Sequence, residues 1–435
     1  MKFSLAYGRT GLDIELPNNL NADIIRPRYI PALKDEVGQI IRSLKNPVDC
    51  EPLKKLVKPS DKVGIVFNDI TRATPYKIIM PALLAELSDI PKENIVLFNA
   101  TGTHRINTDA ELRTMLGDDC VDKYRIIQND AADVDSHVSV GRTSYGNEIK
   151  VLAEYIECDV RILTGFIEPH FFAGFSGGPK ACVPGLADLN TILRNHCSKK
   201  IDQPNSTWGH TEDNPLWQEL LEATELAGPV FLLNVALNTD KKVTAVFAGD
   251  LKKAHQQGCR FVKENAMAPV NKLYDIVITS NSGHPLDLNM YQSVKGLSAA
   301  ARIVKPDGTI IIAADCWDGI PEHGMYGKLL AESKSPKELL TKIRAKNFLC
   351  RDSWQAQIHA MICEKAKIYF YSDTLTDKQI SDAFMQPCSD IAETVKSIIN
   401  SEGGWVRICI LPDGPLTIPY LKSFQNIPLD RCSTV

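Results

Sequence analysis

At 435 residues, with 44% hydrophobic and 23% charged side chains, the chain exceeds the size at which one core stops growing, so two or more domains are expected. Its formal net charge of -4, with both signs spread along the chain, gives no polybasic stripe and argues against nucleic acid or a membrane surface as partners. No apolar run reaches the roughly 18 residues that could span a bilayer, and twelve singly placed cysteines without a C-x-x-C read as reduced, buried small side chains rather than a zinc ribbon or redox motif.

The opening stretch MKFSLAYGRTGLDIELP alternates apolar positions and turns at Gly8 to Gly11. That pattern predicts a strand rather than a secretory leader, and hence a cytoplasmic protein. KVGIVFND, NIVLFNAT, YRIIQND and VRILTGFI are short runs rich in Val, Ile and Leu that end in Asn, Asp, Thr or Gly. Between the first two, RATPYKIIMPALLAELSDI carries apolar residues at helical spacing after Pro75. Such alternation predicts an α/β fold, with mostly parallel sheets and helices on their faces. Near residue 265 the pattern restarts: YDIVITSNS, DGTIIIAAD, KIYFYS and WVRICILPD read as strands and YQSVKGLSAAARIV as a helix. The expected division is an N-terminal α/β domain over residues 1–268 and a Rossmann-like C-terminal domain over 269–435, joined near Pro269.

Ligands of open α/β sheets bind beyond the carboxyl ends of the strands. Asp69 and Arg72 follow the first of these runs, His104 the second, Glu168 and His170 the fourth, and His284 follows IVITSNSG. They are expected to face one cleft, between the two domains. The loop GFSGGPK, Gly174 to Lys180, could turn the N–H groups around Gly177 and Gly178 toward a phosphate, with a following helix N-terminus adding favourable charge. It lacks the Walker spacing, and a plain tight turn at Pro179 is the alternative. Lys180 could be a phosphate counter-ion, a covalent attachment point or an exposed lysine.

His104 and His170 suit a reaction that removes a proton on one side and delivers one on the other. His196, in LRNHC, falls in an expected helix, where it is either a ligand for nickel, copper or zinc or a surface residue. Arg72, in DITRATP, offers a planar fork for a carboxylate, unless it pairs with Asp69. MYQSVKG sets Tyr291, Gln292 and Lys295 within one helical turn, where they converge on a guest or form a solvated face.

Taken together, DITRATP, GTH, PHFFAGFSGGPK, RNH and MYQSVKG closely resemble, in order and spacing, the nickel-pincer lactate racemase family. The resemblance implies a racemase or epimerase of 2-hydroxy acids, an isomerase, with lactate as the default substrate. It implies that Lys180 carries a pyridinium-3-thioamide-5-thiocarboxylic acid mononucleotide through an amide, and that Ni(II) is held by that group and by His196. The phosphate of the nucleotide would then occupy the loop at Gly177 and Gly178. His104 and His170 would be the acid/base pair. Arg72, with Lys295 and Gln292, would hold the substrate carboxylate, while Asp69, Tyr291 and Lys295 would lie beside the cofactor. Proteins that synthesise and load the nucleotide are implied partners, and a homodimer is left open.

Phe172 and Trp354 are expected to line the pocket for the substrate side chain. Phe172 is bulkier than lactate requires, so a larger 2-hydroxy acid is an alternative substrate. Rival readings are a pyridoxal phosphate enzyme using Lys180, a zinc hydrolase using His104, His170 and His196, and an inactive relative that only carries the cofactor. A nicotinamide dehydrogenase is disfavoured, because no G-x-G-x-x-G follows a strand.

Overall fold

The apolar runs form two six-stranded sheets, each in its own compact unit, in a computed structural model that describes residues 1–17, 20–322, 324–402 and 406–422. One unit is Tyr29–Asn265. The other joins Met1–Arg28 to Ala266–Val435. The first 28 residues belong with the C-terminal unit rather than with the first domain. The reason is pairing and burial. Ala22–Ile24 adds a parallel edge strand to Ile408–Leu411. The hairpin of Lys2–Leu5 and Leu12–Glu15 places Phe3, Leu5 and Ile14 in the same core as Ile276, Ile278, Ile410 and Val395.

In the Tyr29–Asn265 unit the strand order is Val243–Asp250, Phe231–Leu237, Val160–Phe166, Val63–Asn68, Ile95–Ala100, Arg125–Gln128. All neighbours are parallel except the first pair. The central strand VGIVFN is buried on both faces at five of its six positions, as a sheet covered by helices on both sides requires. Helix Glu36–Lys45 begins where Asp35 accepts the Gly38 N–H, and it buries Ile40 and Leu44, spaced i and i+4, in the core that also holds Ile65, Phe67 and Leu83. Each such fully buried side chain contributes about 1.5–3 kcal/mol. Helix Tyr76–Glu86 starts after Pro75, whose fixed φ suits a helix entrance. The carboxyl ends of Val63–Asn68, Ile95–Ala100 and Val160–Phe166 therefore share one edge of the sheet, with Asp69, His104 and His170 just beyond them.

In the other unit the order is Gln386–Pro387, Lys367–Tyr371, Val304–Ala313, Tyr274–Ser280, Ile408–Leu411, Ala22–Ile24, parallel throughout. Helix Met290–Ala301 follows Tyr274–Ser280, as the YQSVKG pattern predicts. Among the described residues no helix is long and apolar enough to cross a membrane.

Candidate active site

The loop after Val63–Asn68 is built by its own polar side chains. Thr74 Oγ1 and Tyr76 Oη both donate to Asn68 Oδ1, each at 3.0 Å, and Thr71 Oγ1 donates to Asp69 Oδ1 at 2.8 Å. Asp69 is thereby held buried, with its Oδ2 at 2.5 Å from His104 Nδ1. Burial pushes the Asp69 carboxyl up, but the hydrogen bond and charge of His104, with Arg72 and Thr71, outweigh it and hold the group below the usual carboxylate range. An ionised carboxylate only accepts, so Nδ1 of His104 carries a proton and Nε2 is the nitrogen left to face a guest. The ring is 41% exposed, so that nitrogen can meet a guest.

Arg72 does not pair with Asp69 through its side chain. Its backbone N–H donates to Asp69 O at 3.1 Å, while its guanidinium lies 3.9 Å from Glu168 Oε1, beyond hydrogen-bond reach. The donors of the fork remain available to a carboxylate.

His170 stands in a different setting. Pro169–His170 pairs antiparallel with Gly174–Phe175, and inside this small turn the Ala173 N–H donates to His170 Nδ1 at 3.2 Å. Nδ1 is thus the acceptor, and Nε2 carries the proton of the neutral ring. Phe172 meets the His170 ring edge-on at 4.5 Å and the His196 ring at 5.0 Å, and the Lys180 ammonium lies 5.6 Å from its centroid. At 3% exposure Phe172 is a wedge among these three groups rather than an open wall.

The glycine-rich loop is shaped by contacts inside the protein. A Cβ on Gly177 would sit 2.5 Å from Asn234 Oδ1, and one on Gly178 2.7 Å from the His255 ring. Both residues have positive φ, and the Gly178 N–H is spent on Asn234 Oδ1 at 2.8 Å. The segment continues as a 3-10 turn, Gly178–Ala181, with no α-helix before Leu189, so the expected helix N-terminus is absent. The glycines serve close backbone approach to Asn234 and His255, two residues that sequence reasoning missed.

The turn delivers Lys180, half-buried, into apolar surroundings. Burial, assisted by the like charge of Arg72, lowers its pKa to about 7. His196 lies at the C-terminal cap of helix Leu189–Asn195, not within it, and it is buried. Burial, with the charges of Lys180 and Lys200, drives its pKa well below the ordinary imidazole value, so the ring is neutral. Beneath it Lys200 and Glu219 form a buried ion pair. Glu219 also accepts from Asn195 Nδ2 at 2.8 Å, Thr143 Oγ1 at 3.0 Å and Asn147 Nδ2 at 2.5 Å, fixing the corner that carries His196. No sequence motif signals this network, since its members are up to 76 residues apart.

Tyr291, Gln292, Lys295 and Trp354 belong to the other unit. Asn289 caps the helix Met290–Ala301 that carries the first three by accepting the Gln292 N–H at 3.1 Å, Tyr291 packs edge-on to Tyr326 at 5.3 Å, and Gln355 Nε2 donates to Tyr291 O. Trp354, 5% exposed, is a core residue of helix Ser353–Lys365. Among the described residues no three His, Cys, Asp or Glu side chains are grouped so as to hold a metal ion. His104, His170 and His196 therefore do not form the three-ligand set of a zinc hydrolase.

Comparison with known proteins covers nearly the whole chain. Residues 7–209 match the lactate racemase N-terminal domain and residues 270–418 the lactate racemase C-terminal domain. A lactate racemase of Thermoanaerobacterium thermosaccharolyticum is 37% identical over 94% of this chain and 97% of its own length. One from Lactiplantibacillus plantarum is 36% identical over 87% and 90% respectively. The structure of the lactate racemase apoprotein from the former organism superposes with a TM-score of 0.90 at 35% identity, covering 96% of this chain and all of that one. A Thermotoga maritima protein, 18% identical, shares the fold at a TM-score of 0.67 over 89% of this chain and 98% of its own.

Proposed function

Because the chain belongs to the lactate racemase family, we propose that it interconverts the two enantiomers of lactate and that His104 and His170 are its paired acid and base. The observation that carries the reading is the opposite proton placement on the two rings. His104 presents a basic Nε2 because Asp69 accepts from its Nδ1. His170 presents a protonated Nε2 because the Ala173 N–H occupies its Nδ1. A racemase must take a proton at the substrate hydroxyl from either enantiomer and give it back, so the two rings exchange the roles of base and acid with the enantiomer, and whichever returns the proton does so as an imidazolium, since a neutral ring would be left as an imidazolate.

The residues present also fit the nickel-pincer nucleotide. Lys180 offers a partly desolvated amine with a pKa of about 7, poised to form an amide. His196 offers the neutral imidazole that metals bind. With no cluster of His, Cys, Asp and Glu among the described residues able to hold a metal alone, nickel at His196 would draw its other donors from the nucleotide. When bound, that group supplies the acceptor and donor of the hydride on substrate C2. The protein does the rest. Arg72 grips the carboxylate, one histidine removes the hydroxyl proton, and the planar 2-oxo acid turns while its carboxylate stays on the fork. The other histidine then returns a proton to give the mirror-image acid.

The test is to load the protein by co-expression with nucleotide-synthesising enzymes and supply one pure enantiomer of lactate. Chiral chromatography should show approach to an equal mixture, and peptide mass mapping should place the adduct on Lys180. Lys180→Ala should lose both. Loaded parent protein that leaves either enantiomer untouched would overturn the proposal.

A further inference from the structure

We infer that Glu168 is a specificity residue that sets the site against substrates with a second negative charge, so that 2-hydroxy monocarboxylates are accepted and 2-hydroxy dicarboxylates rejected. The inference rests on the racemase reading. Glu168 lies two residues before His170, and its backbone is clamped at both polar atoms. Its N–H donates to Ser176 Oγ and its carbonyl accepts the Ser176 N–H, each at 2.9 Å. Ser176 Oγ in turn donates to Phe166 O at 3.0 Å. The carboxylate is therefore carried on a fixed base, joined to the loop that leads to Lys180.

Its side chain is 40% exposed, with Oε1 3.9 Å from Arg72 Nη1. That spacing is too long to occupy the guanidinium donors, yet it holds a negative charge beside any carboxylate that Arg72 takes. Around the fork stand two carboxylates, Asp69 and Glu168, against one guanidinium, Arg72, and Lys180 is neutral once acylated. A dicarboxylate brings one more negative charge to these carboxylates than a monocarboxylate does. Two unit charges about 6 Å apart at an effective dielectric of about 20 repel enough to weaken binding roughly a hundredfold. Water and salt at a half-exposed group reduce that to on the order of tenfold. A surface ion pair kept only to steady Arg72 would leave the choice among substrates unchanged.

The experiment compares 2-hydroxybutanoate with 2-hydroxybutanedioate, equal in carbon number and different in the terminal carboxylate, in loaded parent enzyme, Glu168→Gln and Glu168→Asp. The readout is the ratio of kcat/KM for the diacid to that for the monoacid, with the inhibition constant of the diacid against lactate used where its turnover is undetectable. Glu168→Gln should raise the ratio at least tenfold, chiefly through KM, and Glu168→Asp should keep the parent ratio. In the parent the ratio should rise with ionic strength, and that rise should shrink in Glu168→Gln, or in Glu168→Ala if Glu168→Gln fails to fold. A ratio within twofold of the parent in Glu168→Gln, or one that is flat or falling with salt, overturns the inference while lactate racemisation stands. Loaded parent that racemises no 2-hydroxy acid overturns the racemase reading and this inference with it.

Discussion

His104 and His170 are the same residue type at comparable places, just beyond parallel strands of one sheet, yet they are held by opposite means. His104 owes its orientation to one buried carboxylate, Asp69, in an otherwise polar loop. His170 owes its orientation to a backbone N–H inside a tight turn and to the packed ring of Phe172. A carboxylate partner fixes a proton on the near nitrogen, and a backbone donor fixes it on the far one. Nature of the support, not nature of the side chain, therefore decides which ring nitrogen is left to face a guest as acceptor and which as donor. Electrostatic support and packing support should also fail differently.

The largest effect expected is on catalysis. In Asp69→Asn the amide oxygen can keep the Thr71 hydroxyl while the amide N–H faces His104 Nδ1, which moves the ring proton to Nε2, and kcat should fall on the order of 10²–10⁴-fold, the range of a lost general base. His104→Ala should fall as far, and the double variant no further than His104→Ala alone, because the two act as one unit. Thermal melting of Asp69→Asn should stay near that of the parent. If instead the effects of the two substitutions multiply, Asp69 does not act through His104.

Phe172→Ala attacks the packing side of the comparison. Emptying the wedge leaves a cavity among His170, His196 and Lys180, and the cost should be about 3–5 kcal/mol of stability by denaturant unfolding. Here stability and activity should drop together. Gly178→Ala is a milder blow to the same support. Its Cβ would meet the His255 ring at 2.7 Å with φ at 55°, for a loss of about 1–3 kcal/mol. A phosphate cradle would predict a loss of cofactor loading with stability unchanged, so unchanged melting with lost loading would restore that role to the glycines.

How much of this was legible in the sequence follows the same division. Strands such as VGIVFN and NIVLFNA declare themselves, because burial on both faces demands unbroken apolar runs. Residues whose chemistry is local to a strand end, such as Asp69, Arg72, His104 and His170, could be sorted by the rule that ligands sit beyond carboxyl ends. The placement of Met1–Arg28 could not be foreseen, because Ala22–Ile24 is only three residues long and takes its partner from Ile408–Leu411. Nor could the reason for Gly177 and Gly178, since a glycine that admits a ligand and one that admits Asn234 or His255 look alike in one dimension. Glu219 and Lys200 were equally silent. A buried ion pair is known by its burial, and substitution of Glu219 by Gln would leave Lys200 uncompensated beneath His196.

The smallest effect expected is on acid stability, and it isolates the Asp69–His104 pair from catalysis altogether. The folded-state pKa of Asp69 lies below its ordinary value, so its contribution to stability is complete above the unfolded carboxylate pKa of about 3.9 and is lost as pH falls through the lower folded value. The stability difference between parent and Asp69→Asn, measured by denaturant unfolding, should be constant near neutrality and shift against the parent only in that acid window. Burial is the largest single influence on this carboxyl and acts to raise its pKa, and His104 supplies the two strongest counterweights. Removing the imidazole leaves Arg72 and Thr71 to oppose burial. The acid-dependent part of the difference between His104→Ala and the Asp69→Asn, His104→Ala double variant should therefore shrink from that seen in the parent background. An unchanged acid-dependent difference would mean that Asp69 is held ionised by something other than His104, and the polar half of the comparison would have to be rebuilt around Arg72.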